Sequence, residues 1–428
     1  MKVANPFGYY WPELSQKYIY YSVLAIVSVT FVSEFQTLWG IDLPVLRYFL
    51  CAVALYYLIK GIVTGYSLES RGVLVRWLSW VLLLSVVYSV AIGLPAVLSR
   101  ANDYLNLKRL ISGQLLLSML PFLVLFKPDL FLLRRSIELV YFLAVLYLVF
   151  TLPFFLSFAH DYRLGAEYYT RTFASGAAFI FLTLPYHRRR VQMYSVLALL
   201  VSFTLMAILA RRNEILYLGA VFFFAGLMIM FSSRRHWRGQ RWAFALALLG
   251  AAPFILLAYN ALEPDFSLLT QRIETGERQG VFYSRVSVIN EFVNDFNSNP
   301  EDWYFGKGMN GSYEVSLGIA NPAVNGYQRR DVIENGYLYL ILKGGLFYLI
   351  PFILVSLVAV KRGMLNSSNL LSKAAAAMVL INLIDMVGFG LPDLTVEYIL
   401  IWLSLGICLS DEIRSYSDDD VQMIVGLV

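Results

Sequence analysis

Residues Tyr337 to Val360 read YLYLILKGGLFYLIPFILVSLVAV, a segment whose one charged side chain is that of Lys343. A helix that crosses a lipid bilayer needs about 20 mostly apolar residues, because each backbone polar group must find its partner within the helix. This segment is both long enough and apolar enough. The sequence therefore predicts a membrane-spanning helix at this position.

Comparable apolar segments occur along most of the chain. The residues are 59% hydrophobic and 15% charged, whereas about a quarter of the residues in a soluble domain are charged. We therefore predict an all-α fold, a polytopic integral membrane protein of about 12 transmembrane helices with one large extracytoplasmic loop. The predicted spans are 18–38, 43–63, 76–98, 110–126, 136–157, 172–186, 191–210, 215–232, 242–260, 337–360, 373–392 and 394–410.

The chain divides into three parts by composition. Residues 1–260 hold predicted transmembrane helices 1 to 9, and residues 333–428 hold predicted helices 10 to 12 and a cytoplasmic C-terminal tail. Between them, residues 261–332 are polar and form the predicted large loop. Cys51 and Cys408 both fall inside predicted spans, so we expect no disulfide to support that loop.

Two basic clusters orient the chain, one from Arg188 to Arg190 and the other from Arg234 to Arg241. Short cytoplasmic loops carry an excess of Lys and Arg, so both clusters are predicted to be cytoplasmic. Counting spans in both directions then places both termini inside and residues 261–332 outside. We expect no removable signal peptide, since Met1 to Lys17 has no apolar core of its own.

Several basic residues lie in short loops that this orientation places outside, where few are expected. Guanidinium groups bind phosphate oxygens in two places and stay charged at physiological pH. They indicate an anionic ligand at the outer boundary, such as a lipid diphosphate; the alternative is snorkelling of the side chains to phospholipid headgroups. These residues are Arg100, Lys108, Arg109, Arg163, Arg171, Arg211 and Arg212.

Other ligand classes have no motif in the chain. The three histidines, His160, His187 and His236, are scattered, and the sequence has neither a zinc motif nor an ATP-binding glycine loop. We expect no metal and no cofactor. The basic runs are explained by membrane topology, so nucleic acid is not an expected partner.

The polar loop and the segment after it contain an ordered series of short motifs. In chain order they are Arg285, an amphipathic helical pattern over 286–296, Asn299-Pro300, Gly306-Lys307-Gly308, Glu334-Asn335-Gly336-Tyr337-Leu338 and Gly344-Gly345-Leu346.

This order of motifs, together with the multi-span layout and an outer loop before the last three spans, resembles the O-antigen polymerase and O-antigen ligase superfamily. Ala210-Arg211-Arg212 is similar to that superfamily's S-R-G at the head of a helix. The resemblance implies glycan transfer from a polyprenyl-diphosphate-linked oligosaccharide at the outer face of a bacterial inner membrane. It also implies membrane lipids and a chain-length regulator protein as partners.

One position departs from the ligase pattern. Ligases of that superfamily usually carry histidine where this chain has Glu334, and residues 261–332 contain no histidine. The departure favours a polymerase, which joins lipid-linked repeat units to one another, over a ligase, which transfers the glycan to another acceptor.

The chemistry assigns roles to particular side chains. Cations must offset the charge that grows on the departing phosphate, and a carboxylate can act as general base for the acceptor hydroxyl. We predict Arg211, Arg212 and Arg285 for the first role. We predict Glu334 for the second, with Glu214 as the next choice. The predicted substrate-binding residues are Lys108, Arg109, Arg163, Arg171, Glu214, Arg329, Arg330, Asn335 and Tyr337.

These roles have structural alternatives. Glu334 and Asn335 can cap a helix, since Asn is a favoured N-cap residue. The aromatic run from Trp303 to Phe305 can stack on sugar rings, although packing on the loop's own helix is the favoured interpretation. Asp385 lies deep in a predicted span, where it either joins a helix contact or lines a cavity.

Two other protein classes stay open. A secondary transporter or lipid flippase would place its polar residues near the bilayer midplane, at broken helices. A non-catalytic membrane scaffold is the third possibility.

Overall fold

The computed structural model describes most of the chain, and helices make up most of what it describes. The described residues are 14–39, 43–65, 73–99, 115–126, 128–157, 163–208, 212–231, 279–316, 327–388 and 395–425.

Helices and strands are numbered here in chain order. The helices are α1 (Leu14–Trp39), α2 (Pro44–Thr64), α3 (Val73–Ser99), α4 (Leu115–Met119), α5 (Leu130–Ser157), α6 (Arg163–Leu182), α7 (Arg189–Ile208), α8 (Arg212–Phe231), α9 (Gln279–Ser298), α10 (Glu301–Phe305), α11 (Gly336–Leu365), α12 (Leu370–Gly388), α13 (Val396–Leu409), α14 (Asp411–Ser415) and α15 (Asp418–Val425). The strands β1 (Tyr313–Ser316) and β2 (Tyr327–Arg330) pair antiparallel.

Four of the described helices are long and apolar enough to cross a membrane, which identifies a helical membrane protein. They are Pro44–Thr64, Val73–Gly93, Gly336–Leu365 and Leu370–Gly388. Shorter apolar helices are Leu115–Leu125, Thr172–Leu182, Asn213–Met228 and Val396–Leu409. The count of about 12 spans stays a prediction, and the predicted span 242–260 lies outside the described residues.

Contacts between segments remote in sequence mark two faces at which ends of the long helices meet. At one face the hydroxyl of Tyr186, just after α6, donates to the carboxylate of Asp418 in α15. We call this the tail face. At the opposite face the N–H of Met309, which follows α10, donates to the carbonyl of Ser89 in α3 at 3.0 Å. We call this the loop face.

Burial separates inner helices from peripheral ones. In α12, 78% of the span is buried inside the protein, whereas the share in α2 is 22%. Helix α12 lies among α8, α11 and α13 and is central to the packing. Most of the surface of α2 is therefore left for lipid or another protein.

Two predicted segments differ from the structure. The predicted outer loop from Phe158 to Arg171 is helical from Arg163 onward, because Ala, Leu, Glu and Arg favour helix without needing an apolar setting. The predicted span 110–126 is not one α-helix in its described part, since α4 ends at Met119 and a 3-10 helix continues to Leu125. Pro121 accounts for the change, because it lacks the N–H that an α-helix interior requires.

The polar segment before α11 folds into a small unit, the loop module, which comprises residues 279–316 and 327–330. The rings of Phe292 and Phe296, on one face of α9, are fully buried and stack 4.3 Å apart. Trp303 of α10 meets both rings edge-on, with centroid distances of 6.1 and 5.3 Å. The predicted amphipathic helix is confirmed, and Trp303 packs on it as predicted. Tyr304 and Phe305, for which the same packing was predicted, are exposed, and the ring of Phe305 lies 5.6 Å from that of Tyr88 in α3.

Candidate functional site

The loop module docks into a break in α11. Gly345 interrupts that helix with a φ of +66°, a conformation that glycine adopts at little steric cost. Gly306, which also has a positive φ, packs against the backbone of Gly344 and Gly345 at the break, and Gly308, with positive φ as well, packs against Gly93 of α3. A Cβ added at Gly345 would lie 2.2 Å from the carbonyl oxygen of Tyr304. The close approach of the two backbones therefore requires glycine.

At the break, backbone carbonyls of α11 accept hydrogen bonds from other segments. The N–H of Lys307 donates to the carbonyl of Leu342 at 2.8 Å. The hydroxyl of Ser89, in α3, donates to the carbonyl of Lys343 at 2.6 Å. Carbonyls beside the break thus find partners in other segments, which a buried backbone requires. The loop module, α3 and α11 are joined at this point.

Lys343 is a buried cation whose partners come from the segments next to the loop module's strands. Its Nζ donates to the carbonyls of Gly311 and Asp331 at 3.1 and 3.0 Å, and lies 5.1 Å from the ring centroid of Tyr339. Hydrogen bonds of this kind offset the cost of burying a charge. Lys343 therefore holds the chain just before Glu334 against α11.

The end of α12 at the loop face is where the starts of α8 and α11 meet. The side-chain amide of Asn213, in the first turn of α8, donates to the carbonyl of Gly388 at 3.2 Å. The amide of Asn335, which precedes α11, donates to the carbonyl of Val387 at 2.8 Å. The two helix starts therefore contact the same end of α12, although α8 and α11 are far apart in sequence.

Asn335 and Tyr337 use their polar atoms within the protein. Oδ1 of Asn335 accepts from the N–H of Leu338 at 3.0 Å, which is the helix capping anticipated for this residue. The hydroxyl of Tyr337 donates to the carbonyl of Leu383 at 2.5 Å. The bond of Tyr337 to Leu383, together with that of Asn335 to Val387, fixes the start of α11 on α12. Substrate binding by these two residues stays a prediction.

Three carboxylates lie in this region in different settings. Glu334, directly before the capping residue, is exposed. Glu214, in the first turn of α8, has 1% of its surface exposed and lies one turn before buried Leu218. Asp385, near the end of α12, is also buried. Of the three, Glu334 is the one open to an acceptor that arrives from outside the protein.

Backbone dipoles of both signs meet at the site. Helix α8 begins at Arg212 and α11 at Gly336, and the start of a helix carries a partial positive charge. The carbonyls of Val387 and Gly388, at the negative end of α12, accept from the two asparagine amides. The partial positive charges of the two helix starts are therefore opposed by the negative end of α12, so the cations for a phosphate group must come from side chains.

Arg329 and Arg330 lie on β2 of the loop module. Arg329 pairs with Glu314 across the ladder at 3.5 Å, with both side chains more than half exposed, so this pair contributes little stability. Arg330 lies opposite Tyr313. Burial raises the pKa of Tyr313 to about 12, against the lowering effect of the charge on Arg330.

The structure places four other predicted residues by their backbone. Arg212 begins α8, Arg285 lies in α9, and Arg163 and Arg171 lie in α6. Arg163, Arg171 and Arg212 are therefore helical, although each was predicted to lie in a short outer loop. The predicted residues outside the described part of the chain are Lys108, Arg109 and Arg211.

Lys307 of the glycine turn is not a free phosphate ligand. It forms ion pairs with Asp295 and, at 3.5 Å, with Asp302, and its Nζ lies 5.1 Å from the ring centroid of Phe296. Its charge is balanced within the loop module.

Sequence reasoning assigned no role to Asn213 or Lys343. The signal for Lys343 was a lone charge in an apolar span, which is expensive unless it is paired. Asn213 gave no signal of its own, because its partner Gly388 is remote in sequence.

Comparisons with known proteins identify no family. No protein-family model matches the chain, and no curated protein sequence matches it. Within the described residues, no group of three or more His, Cys, Asp or Glu side chains is placed to hold a metal ion. The function therefore rests on the chemistry of the site itself.

Proposed function

We propose that this chain polymerises polyprenyl-diphosphate-linked oligosaccharide repeat units into a surface polysaccharide, by metal-independent glycosyl transfer at the outer face of a bacterial inner membrane. One observation carries the proposal. The starts of α8 and α11 meet at the end of α12, which brings Arg212 and Glu334 to the same region of the loop face. Transfer from a lipid diphosphate needs a cation and a base held close together.

In the proposed reaction, the acceptor hydroxyl oxygen attacks the anomeric carbon of the donor sugar. The bond between that carbon and the diphosphate oxygen breaks, and the lipid diphosphate leaves with the bonding electrons. Glu334 takes the hydroxyl proton, while Arg211, Arg212 and Arg285 offset the negative charge that develops on the diphosphate. The partial positive charges of the two helix starts lie beside this group of residues.

The proposal sets the orientation of the protein. The loop face is the outer face, and the tail face is cytoplasmic with both chain termini on it. Glu334, which is exposed at the loop face, then meets acceptor sugars on the outer side of the membrane. The donor lipid reaches the same place from within the bilayer.

A ligase that transfers the glycan to a different acceptor is the nearest alternative. It would use the same donor and the same phosphate-binding arginines. Glu334 stands where ligases of the resembled superfamily usually have histidine, and this difference supports the polymerase.

A secondary transporter or lipid flippase is favoured by one observation, the break in α11 at Gly345. Transporters bind substrate at such breaks. Here the break is filled by the backbone of the glycine turn, and the cavity beside it, lined in part by Ser89, Lys343 and Tyr339, measures about 30 Å³. That volume holds about one or two water molecules, whereas ligand sites have roughly 300–1,000 Å³. The break therefore serves to dock the loop module.

A single experiment separates these functions. The purified full chain in lipid vesicles is given lipid-linked repeat units, and the glycan products are separated by size. We expect new products with two or more repeat units on one lipid. Transfer only to an added second acceptor would identify a ligase. Movement of the donor across the membrane without a new glycosidic bond would identify a transporter.

A further inference from the structure

The start of α1 and the end of α2 carry a cluster of lysine and tyrosine side chains. This cluster lies at the tail face, because Gln16 of α1 accepts from the N–H of Asp129, and Asp129 interacts electrostatically with Tyr416, between α14 and α15. Nζ of Lys60, near the end of α2, donates to the hydroxyl oxygen of Tyr56 at 3.2 Å. The same Nζ lies 4.5 Å from the ring centroid of Tyr18, in α1. Nζ of Lys17 lies 5.7 Å from the ring centroid of Tyr21. Two ammonium groups are thus held among tyrosines at one place.

Close packing of α1 on α2 builds this cluster. A Cβ added at Gly61 would lie 2.5 Å from Cδ1 of Ile19, so glycine permits the helices to approach this closely. Because Gly61 follows Lys60 and Ile19 follows Tyr18, the same contact holds the lysine against the tyrosine. Tyr57 stacks on the ring of Tyr18 with a centroid distance of 6.0 Å.

The directions of the hydrogen bonds leave donors for a ligand. Lys60 donates to the oxygen of Tyr56, so the hydroxyl hydrogen of Tyr56 is left to donate elsewhere. An ammonium has three donors, and more than half of the surface of Tyr56 is exposed. A ligand rich in acceptor oxygens matches this set of donors.

An apolar stripe runs from the cluster along the outer surface of α2. Its exposed side chains, at helical spacing, are Val45, Phe49, Tyr56, Ile59 and Val63. From Val45 to Val63 the helix rises about 27 Å, which is close to the roughly 30 Å thickness of the hydrocarbon layer. The stripe suits acyl chains, and the cluster lies where their headgroups would be.

The cluster carries the two positive charges of Lys17 and Lys60, and Asp129, whose N–H donates to Oε1 of Gln16 beside Lys17, brings one negative charge to the same region. Helix α5 lies close to α1, because its Arg135 and Glu138 interact electrostatically with Tyr20. Within α5, Glu138 forms ion pairs with both Arg134 and Arg135. These three side chains together add one positive charge to those of the two lysines. A zwitterionic headgroup would bring its own cation against Lys60, whereas an anionic headgroup would not.

We propose that Lys60, Tyr18 and Tyr56 bind the phosphate of an anionic phospholipid whose acyl chains lie on the exposed stripe of α2. The site lies at the tail face, away from the carboxylates and arginines of the loop face. It therefore stands independently of the proposed glycosyl transfer. Anionic lipids are a feature of the cytoplasmic leaflet, which agrees with a cytoplasmic tail face.

Native mass spectrometry of the full chain, with phosphatidylglycerol and phosphatidylethanolamine supplied in equal amounts, tests the site. We expect the wild-type protein to retain phosphatidylglycerol preferentially. Lys60→Gln should lower that preference about 10-fold, because a hydrogen bond to a charged group is worth about 1.5–3 kcal/mol. Replacing both Tyr18 and Tyr56 with Phe keeps the rings and their packing, and should lower the preference about threefold.

The matched control is Lys361→Gln, which removes an exposed lysine near the tail-face end of α11 and should leave the preference unchanged. Equal losses in Lys60→Gln and Lys361→Gln would show general attraction to a basic face and overturn the proposal. The proposal would also be overturned if neither the double Phe variant nor Lys60→Gln changed the lipid preference. A wild-type dimer free of lipid would assign the stripe to a second copy of the chain and would also overturn it.

Discussion

The side-chain amides of Asn213 and Asn335 donate to consecutive carbonyls at the end of α12, those of Gly388 and Val387. The last carbonyls of a helix have no partner within that helix, so the two amides satisfy them. Each amide also fixes the start of its own helix on α12. This pair of contacts holds Arg212, at the start of α8, and Glu334, just before α11, at the same end of α12.

Asn335→Ala removes both the N-cap of α11 and the contact with α12. We expect the free energy of unfolding to fall by about 1–3 kcal/mol, since a cap and a hydrogen bond are lost together. Thermal unfolding in detergent measures this change. Asn294→Ala, at an exposed position of α9, is the matched control and should be nearly silent. Equal stability of the two variants would mean that the contact between Asn335 and Val387 does not hold α11 in place.

Gly345→Ala should release the loop module from α11. The added Cβ would overlap the carbonyl of Tyr304, and the residue's φ of +66° is unfavourable for alanine. We expect a loss of several kcal/mol and rapid proteolysis within α9 and α10. Gly406→Ala adds the same methyl group to α13, where the nearest atom, in Pro128, is at an ordinary 3.4 Å. Resistance to proteolysis in Gly345→Ala equal to that of Gly406→Ala would contradict the docking.

The helices were predictable from sequence because the bilayer imposes one simple rule on composition. The break at Gly345 was not, because two glycines in an apolar span do not reveal that Tyr304 will pack there. The contacts at the end of α12 were not predictable either, because the residues that bind there lie in α8 and just before α11, far from it in sequence. Glu334 could be selected as a candidate from its neighbours in sequence, whereas the burial of Glu214 depends on packing that sequence does not show.

His187 should make stability depend on pH. Burial lowers its pKa to about 4, below the ordinary value of about 6.5. Between those values the unfolded chain binds a proton that the folded chain does not, so stability is lost as pH falls from about 6.5 towards 4. His187→Gln should reduce the loss between pH 7 and pH 5 by about 2 kcal/mol. Identical losses in the variant and the wild type, measured by thermal unfolding, would contradict this assignment.

The arginines of the proposed site should be needed for activity and not for folding. We expect Arg211→Ala, Arg212→Ala and Arg285→Ala each to abolish polymer formation at normal protein levels, because each offsets charge on the departing diphosphate. Lysine should rescue poorly, since it lacks the planar fork. Gel analysis of surface polysaccharide in a deletion strain that expresses each variant measures the effect. Normal polymer from all three alanine variants would favour snorkelling.

The most direct test of the central claim is the rate of polymerisation of purified lipid-linked repeat units by Glu334→Gln. Glutamine keeps the size of the side chain and its hydrogen-bonding capacity but cannot take the acceptor proton. We predict a loss of about 10²- to 10⁴-fold in turnover, with stability unchanged and with wild-type activity insensitive to EDTA. Wild-type turnover in Glu334→Gln would remove Glu334 from the mechanism. Loss of wild-type activity in EDTA, restored by a divalent cation, would contradict leaving-group stabilisation by arginines alone.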